Sequence, residues 1–156
     1  MIPLADLDML IVPIGGGGLI SGCAQIVKLI KPEIKVIGVE MALAPAMKRS
    51  IEAGRLVTLD SVAIIIDGLA VKTVGEYTFE ICKAFVDDIV TVDEKEIFTT
   101  IPWIMERCKL VAEGAAASTV AALLTETIRP AAGSKVACVL SGRNLNLSAL
   151  QNMTWN

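Results

Sequence analysis

The sequence contains no histidine among its 156 residues. This absence excludes Ser-His-Asp and Cys-His nucleophile systems and zinc sites built on histidine, because each of these needs an imidazole. Acids and bases are interspersed without a long block of one sign, and the formal net charge is −3. The basic surface that is typical of nucleic-acid-binding proteins is therefore absent too, and we expect no nucleic-acid partner.

Long apolar runs are also missing, although 54% of the residues are hydrophobic. No run reaches the ~18 to 20 residues that a transmembrane helix needs, so we expect no membrane partner, and the excess apolar surface is expected to contact other protein. Asp6 and Asp8 stand where a signal peptide would carry basic residues, which favours a cytoplasmic location. The chain has no Cys-x-x-C pair, and its cysteines are predicted to be buried free thiols: Cys23, Cys82, Cys108 and Cys138.

Short apolar runs alternate along the chain with helical patterns. We predict strands over 8–14, 35–40, 87–92 and 135–140, and helices over 19–30, 43–54, 76–86, 93–108 and from the end of the "EGAAA" segment to about Ile128. Asp93 with Glu96 three residues later is typical of a capping box. The alternation predicts an α/β fold: one three-layer, Rossmann-like domain over 1–156, with a mostly parallel sheet of about four strands flanked by helices.

The segment "IVPIGGGGLISG" (11–22) places four glycines between the first strand and the first helix. Backbone amides at a helix start suit a phosphate, since they join the positive end of the helix dipole. A tight turn that needs small residues only for packing is the alternative, but two glycines would satisfy it. A third alternative is dinucleotide binding, with Glu40 at the end of the second strand as the ribose-binding acid; Ile20 occupies the place of its third glycine.

Three unusual stretches fall after predicted strands or in a connecting loop: "GGGGL" (15–19), "DGLAV" (67–71) and "SGRN" (141–144). Ligands of parallel α/β sheets bind outside the carboxyl ends of the strands, near a change in strand order. The sequence therefore predicts one shared site built from these stretches.

The ordered set "VPIGGGGLISG", "KVIGVE", "DGLAVKTVGEYTFE", "VDDIVTVDEKEI", "LVAEGAAA" and "VACVLSGRN" resembles the carboxyl-terminal half of the fold-type II pyridoxal-phosphate enzymes. The nearest branch is that of threonine dehydratase (threonine ammonia-lyase) and serine racemase. The resemblance implies pyridoxal 5'-phosphate as the cofactor. It also implies a parent reaction in which L-threonine or L-serine undergoes β-elimination to a 2-oxo acid and ammonia.

The same resemblance assigns the cofactor contacts. The phosphate would be held by the glycine loop and the amide that follows it: Gly15, Gly16, Gly17, Gly18 and Leu19. Ser141 would face the pyridine nitrogen, and Gly68 and Glu113 would line the ring. The alternatives for the last two are an ordinary loop glycine and a solvated acid at a helix start. No metal site is expected, because Glu40 has no second carboxylate nearby in sequence.

The sequence departs from the family pattern in three respects. Arg143 replaces a glycine of the family's Ser-Gly-Gly-Asn motif, and Ile66 replaces a small residue. No lysine has the Ser-x-Lys context of the family's cofactor-bonding lysine, which belongs to the amino-terminal half. We therefore expect a partial cofactor domain without catalytic residues of its own, inactive alone, and assembled as a homodimer or larger oligomer. The alternative is a non-catalytic module that binds a phosphate-bearing small molecule or needs a separate amino-terminal partner.

Overall fold

The structure is a computed structural model that describes residues 6–62, 66 and 68–146. Strands and helices alternate along this part of the chain, as the sequence predicts. Their bounds are β1 Met9–Pro13, α1 Gly18–Ile30, β2 Lys35–Met41, α2 Ala46–Ala53, α3 Glu76–Phe85, β3 Asp88–Val92, α4 Glu94–Cys108, α5 Gly114–Leu124 and β4 Val136–Cys138. None of the described helices is long and apolar enough to cross a bilayer.

The four strands form one parallel sheet in the order β3-β2-β1-β4. The chain moves from β1 to β3 in one direction and then returns to the far side of β1 for β4. Because parallel crossovers are right-handed, this reversal places α1 to α3 on one face of the sheet and α4 and α5 on the other. The predicted α/β fold with a parallel sheet of four strands is confirmed.

The central strands are short apolar runs because both of their faces are covered. Ile11 and Val12 of β1 and Val36 and Val39 of β2 are fully buried. Gly38 of β2 lies against the side chains of Ile14 and Ile20, so that a Cβ there would collide with them. Because Gly38 has no side chain, Ile20 and with it the first turn of α1 pack close to the sheet.

Two helices, α2 and α5, differ from their predicted bounds by more than a residue or two. Helix α2 starts at Ala46 rather than at residue 43, after Pro45 at its N-cap, and ends before Gly54 in the left-handed region as expected. Helix α5 already includes the small residues from Gly114 onwards and ends at Leu124, well before Ile128. Its last turn gives way to Glu126, which has a φ of 57°.

The cysteine prediction is correct for only part of the set. Cys82 is buried, and its burial, with the nearby Glu40 carboxylate, raises the pKa of the thiol to about 12. Cys23 and Cys138 are half-buried, and Cys108 is exposed. The prediction of a buried thiol is wrong for Cys108 because this residue ends α4, where the helix leaves the core.

Candidate functional site

Strands β1 and β4 separate at the carboxyl edge of the sheet. The last paired residues of these strands are Ile11 and Cys138, after which Val139 donates its amide to the Ile11 carbonyl. Alternate residues of β1 face β4, and Pro13 is the next to do so. Because proline has no N–H, the ladder between β1 and β4 cannot continue past this point. The strand order also reverses here, which is where ligands bind in sheets of this class.

The glycine loop is packed tightly against neighbouring segments at two of its four glycines. A Cβ at Gly15 would collide with the carbonyl oxygen of Gly68. Gly17 has a φ of +90°, and a Cβ there would lie 2.7 Å from Met47 Cε and 2.9 Å from Thr78 Oγ1. Packing alone therefore requires glycine at 15 and 17, and the left-handed conformation adds to the requirement at 17.

Packing does not explain the other two glycines. A Cβ at Gly16 or Gly18 would meet no atom within 4 Å, and neither residue has a positive φ. Both residues are exposed to solvent. The alternative that the loop is only a tight turn thus accounts for two of the four glycines and leaves the pair that faces open space without a structural reason.

The N-terminus of α1 also lacks internal partners. Its N-cap is Gly17, no side chain caps it, and no acid lies in its first turn. Within the described residues, no acceptor pairs with the amides of the loop or of Leu19; the first amide of this region with a partner is that of Ser21, which donates to Gly17 O at 3.0 Å. A row of free amides at the positive end of a 13-residue helix fits a phosphate group.

The three predicted stretches approach one another closely at glycines, which have no side chain to keep the segments apart. Gly15 lies on the Gly68 carbonyl, as described above, and a Cβ at Gly68 would lie 2.8 Å from Ala115 Cβ and 3.7 Å from Glu113 Oε1. A Cβ at Gly142 would collide with the Glu113 carboxylate. The glycine loop, the 68–71 loop, the start of α5 and the 141–144 segment therefore lie against one another at the carboxyl edge, and together they make up the candidate site. Asp67 of the predicted loop lies outside the described residues.

Glu113 joins α5 to the segment after β4. Its amide donates to the Gly142 carbonyl at 3.1 Å, and its Oε2 accepts the Asn144 amide at 3.0 Å. Glu113 is the N-cap residue of α5, and it is half-buried. A freely solvated carboxylate would not accept the Asn144 amide, so the Glu113 side chain is held in place with one oxygen bonded to the backbone.

Ser141 and Arg143 flank Gly142 and are both exposed. The Arg143 side chain forms no ion pair with any acid in the described part of the chain. A neutral hydroxyl and a cationic guanidinium are therefore both accessible to solvent just after β4.

Glu40 has a different role from the one considered in the dinucleotide alternative. It is 1% exposed, and its two oxygens accept the amides of Met47 at 2.8 Å and of Lys48 at 2.9 Å at the start of α2. Burial raises the pKa of the Glu40 carboxyl to about 7, against the opposing effect of these hydrogen bonds and of the Lys48 charge. This carboxylate closes the N-terminus of α2, and it offers no accessible oxygen to a ribose.

A family model described as "Pyridoxal-phosphate dependent enzyme" matches residues 2–142. The chain belongs to this family. The predicted family and the predicted cofactor class are thereby confirmed.

Individual relatives agree with this assignment. The L-threonine ammonia-lyase of Thermotoga maritima is 42% identical over 150 residues, which are 96% of this chain and 37% of that protein. Threonine deaminase isoform 2 from Solanum lycopersicum superposes with a TM-score of 0.85 at 33% identity, over 94% of this chain and 43% of that one. Maize serine racemase superposes with a TM-score of 0.86 at 34% identity, over 94% and 46% of the two chains. The chain thus spans less than half the length of these relatives.

Sequence reasoning missed two residues of the site, Met47 and Thr78. Both lie against Gly17 from different helices, α2 and α3. Met47 lies outside the motifs quoted above, and Thr78 lies within "DGLAVKTVGEYTFE" without an assigned role, so only the packing of α2 and α3 beside α1 brings them to the loop. A helix with an apolar or hydroxyl residue one turn from its start is too common a pattern to have identified them.

Proposed function

We propose that this chain forms the cofactor-binding half of a dehydratase that acts on L-threonine or L-serine, with the amides of residues 15–19 holding the phosphate of pyridoxal phosphate. The observation that supports the proposal is the uncapped N-terminus of α1 beside two glycines, Gly16 and Gly18, that packing does not require. Bound there, the cofactor would supply an acceptor for the electron pair released when the substrate loses its α-proton.

The other site residues have roles that follow from their positions. Ser141 would present its hydroxyl to the pyridine nitrogen, since it is exposed and follows the end of β4 at the carboxyl edge of the sheet. Gly68 would allow the ring to approach the 68–71 loop, because a side chain there would fill the space beside Ala115 and Glu113. Glu113 would hold the 141–144 segment against α5 through the Asn144 amide and keep Ser141 in place.

Catalysis would require a lysine that bonds covalently to the cofactor, and none of the lysines here fits that role. Lys72, the lysine nearest in sequence to the 68–71 loop, is exposed, while Lys28 pairs with Asp87 at 2.7 Å on another part of the molecule. We therefore propose that the 156-residue chain alone does not convert threonine to 2-oxobutanoate. A coupled dehydrogenase assay measures release of 2-oxobutanoate. Release by the purified chain would show this part of the proposal to be wrong.

The second candidate is a module that binds a phosphate-bearing small molecule or a partner polypeptide without catalysis. The same free amides favour it, together with an apolar face on α1 that includes Ile26 (57% exposed), Leu29 (77%) and Ile30 (62%). Such a face is expected to be covered by another chain, and we propose a homodimer or larger assembly. Light scattering at micromolar concentration distinguishes an oligomer from a monomer, which would contradict this assembly.

The phosphate site is tested with Gly16→Ala and Gly18→Ala. Neither Cβ meets a neighbour, so both variants should unfold at the same temperature as the wild type or slightly above it. Each should bind pyridoxal phosphate and inorganic phosphate about tenfold more weakly, because a methyl group would stand between the amides and the anion. Titration calorimetry measures both ligands.

Gly22→Ala is the matched control, since Gly22 is an exposed residue of the same helix, one turn further on, and its Cβ would also meet nothing within 4 Å. It should bind phosphate like the wild type. Equal binding by all four proteins would contradict the site. Both candidates predict that the chain alone binds pyridoxal phosphate without turnover and that inorganic phosphate competes for the site.

A further inference from the structure

Thr78, the third residue of α3, contacts the glycine loop through its hydroxyl. Its Oγ1 lies 2.8 Å from the carbonyl oxygen of Gly16 and 2.9 Å from that of Gly75. Both partners are acceptors, so the hydroxyl donates its single proton to one or the other. The Gly75 contact is local to the first turn of α3, whereas the Gly16 contact spans 62 positions of sequence.

The loop also rests directly on the Thr78 side chain. A Cβ at Gly17 would lie 2.9 Å from both Cβ and Oγ1 of Thr78. The Gly75 amide reaches the same Gly16 carbonyl at the longer distance of 3.5 Å, so the threonine hydroxyl provides the shorter of the two contacts. The Gly16 carbonyl is thus directed towards the start of α3.

The direction of this carbonyl decides where the next amide points. No peptide bond in the described chain is cis. In a trans peptide the C=O and the following N–H point in opposite directions, so a Gly16 carbonyl directed at α3 turns the Gly17 amide away from α3. A peptide between two glycines has little steric resistance to rotation, and the reversed orientation would point a carbonyl dipole at an anion.

We propose that Thr78 is a positioning residue for the phosphate loop: its hydroxyl fixes the Gly16–Gly17 peptide so that the Gly17 amide is available to the bound phosphate. The inference rests on the proposed function, because it names what keeps that same loop in its binding conformation. It concerns a residue of α3 that never touches the ligand and acts only through the Gly16 carbonyl.

The test compares Thr78→Val and Thr78→Ser with the wild-type chain. Valine has the shape of threonine but no hydroxyl, and serine restores the hydroxyl. Inorganic phosphate and pyridoxal phosphate should bind about fivefold more weakly to Thr78→Val, the effect of losing one neutral hydrogen bond, with the melting temperature little changed. Binding by Thr78→Ser should remain close to that of the wild type. If valine disturbs α3, Thr78→Ala takes its place.

Thr99→Val is the matched control, because the Thr99 hydroxyl also donates to a carbonyl three residues earlier, Glu96 O at 3.0 Å, on the unrelated helix α4. It should leave phosphate binding unchanged. Equal affinity of the wild type and Thr78→Val would overturn the inference. So would equal weakening by serine and valine, since the hydroxyl would then not be the cause.

Amide hydrogen exchange in the free protein separates this inference from the proposed function. If the wild type binds neither phosphate nor pyridoxal phosphate, the proposed function fails, but the Gly17 amide still reports the peptide orientation. An altered exchange rate at Gly17 in Thr78→Val, restored in Thr78→Ser, supports the positioning role. Identical exchange in all three proteins overturns it.

Discussion

Helices α1 and α2 both begin at the carboxyl edge of the sheet, each after a buried parallel strand, yet their N-termini differ completely. The start of α2 is closed by Glu40, which reaches from the end of β2 and accepts two amides within the core. The start of α1 has a glycine N-cap, no acid in its first turn and no side-chain acceptor. The first terminus is completed by the protein itself, whereas the second has no acceptor among the described residues, as the proposed phosphate site requires.

The difference shows how to separate a binding terminus from a structural one. Every helix leaves amides without intrahelical partners, and a folded protein normally supplies them with acceptors. Helix α4 does so within its own sequence, through the capping box of Asp93 and Glu96. Unlike the starts of α2 and α4, the start of α1 has no side-chain acceptor and is exposed to solvent at Gly18 and Leu19, which supports the proposed phosphate site.

The largest expected effect on stability concerns the packing of the glycine loop at the N-terminus of α1. Gly17→Ala should lower the free energy of unfolding by roughly 3 kcal/mol, because the new methyl group would meet Met47 and Thr78 in a left-handed conformation. Gly54→Ala is the control: Gly54 has a φ of +67° but no neighbour within 4 Å, so only the conformational cost of about 1 kcal/mol applies. Urea denaturation measures both. Equal losses would mean that close packing at Gly17 contributes nothing.

A smaller effect on stability is expected from pH at the N-terminus of α2, where Glu40 accepts the backbone amides. The pKa of Glu40 is about 7 in the folded chain, above its ordinary value of 4.5, so the folded state holds this proton more tightly than the unfolded state. Its contribution to stability is therefore full below about pH 4.5 and is lost as the pH rises through 7. Between pH 5 and 8 the wild type should lose about 2 kcal/mol relative to Glu40→Gln, which cannot titrate.

Glu40→Gln has a free energy of unfolding different from that of the wild type at every pH, since the glutamine amide nitrogen cannot accept a backbone N–H. This contribution does not change with pH. Only the change of the difference with pH is diagnostic. The Lys48 ammonium and the Cys82 thiol lie near the same carboxylate, and the Cys82 thiol stays protonated in this range because burial and the Glu40 charge raise its pKa to about 12. Parallel stability curves for the two proteins would contradict the raised pKa of Glu40.

The smallest effect on stability comes from closing the open terminus artificially. Leu19 is 43% exposed in the first turn of α1, so Leu19→Glu places a carboxylate beside the free amides. The helix dipole should stabilise the variant by about 0.5 kcal/mol, while phosphate should bind about tenfold more weakly because two anions would compete for one site. Leu19→Gln, without the charge, should change neither quantity much. Equal phosphate affinity in Leu19→Glu would mean that the anion binds elsewhere.

Much of the fold could be predicted because its signals are local. Continuous apolar runs marked β1 and β2, Gly54 marked the end of α2, and the Asp93 and Glu96 pair marked the start of α4. The ends of α5 could not be predicted in this way, because a stretch of alanines and glycines gives no boundary without its packing partners. The exposure of Cys108 depended in the same way on where α4 leaves the core.

The sequence by itself determined the alternation of strands and helices, the glycine loop after β1 and the resemblance of its motifs to those of pyridoxal-phosphate enzymes, since these depend on residues close together in the chain. The predicted cofactor residues were also brought to one edge of the sheet, as their positions after strands implied. Only the tertiary structure decided which glycines are needed for packing, that Glu40 closes α2, that Pro13 ends the ladder with β4, and that Thr78 touches the loop. These four features arise from contacts between distant segments, which no local pattern encodes.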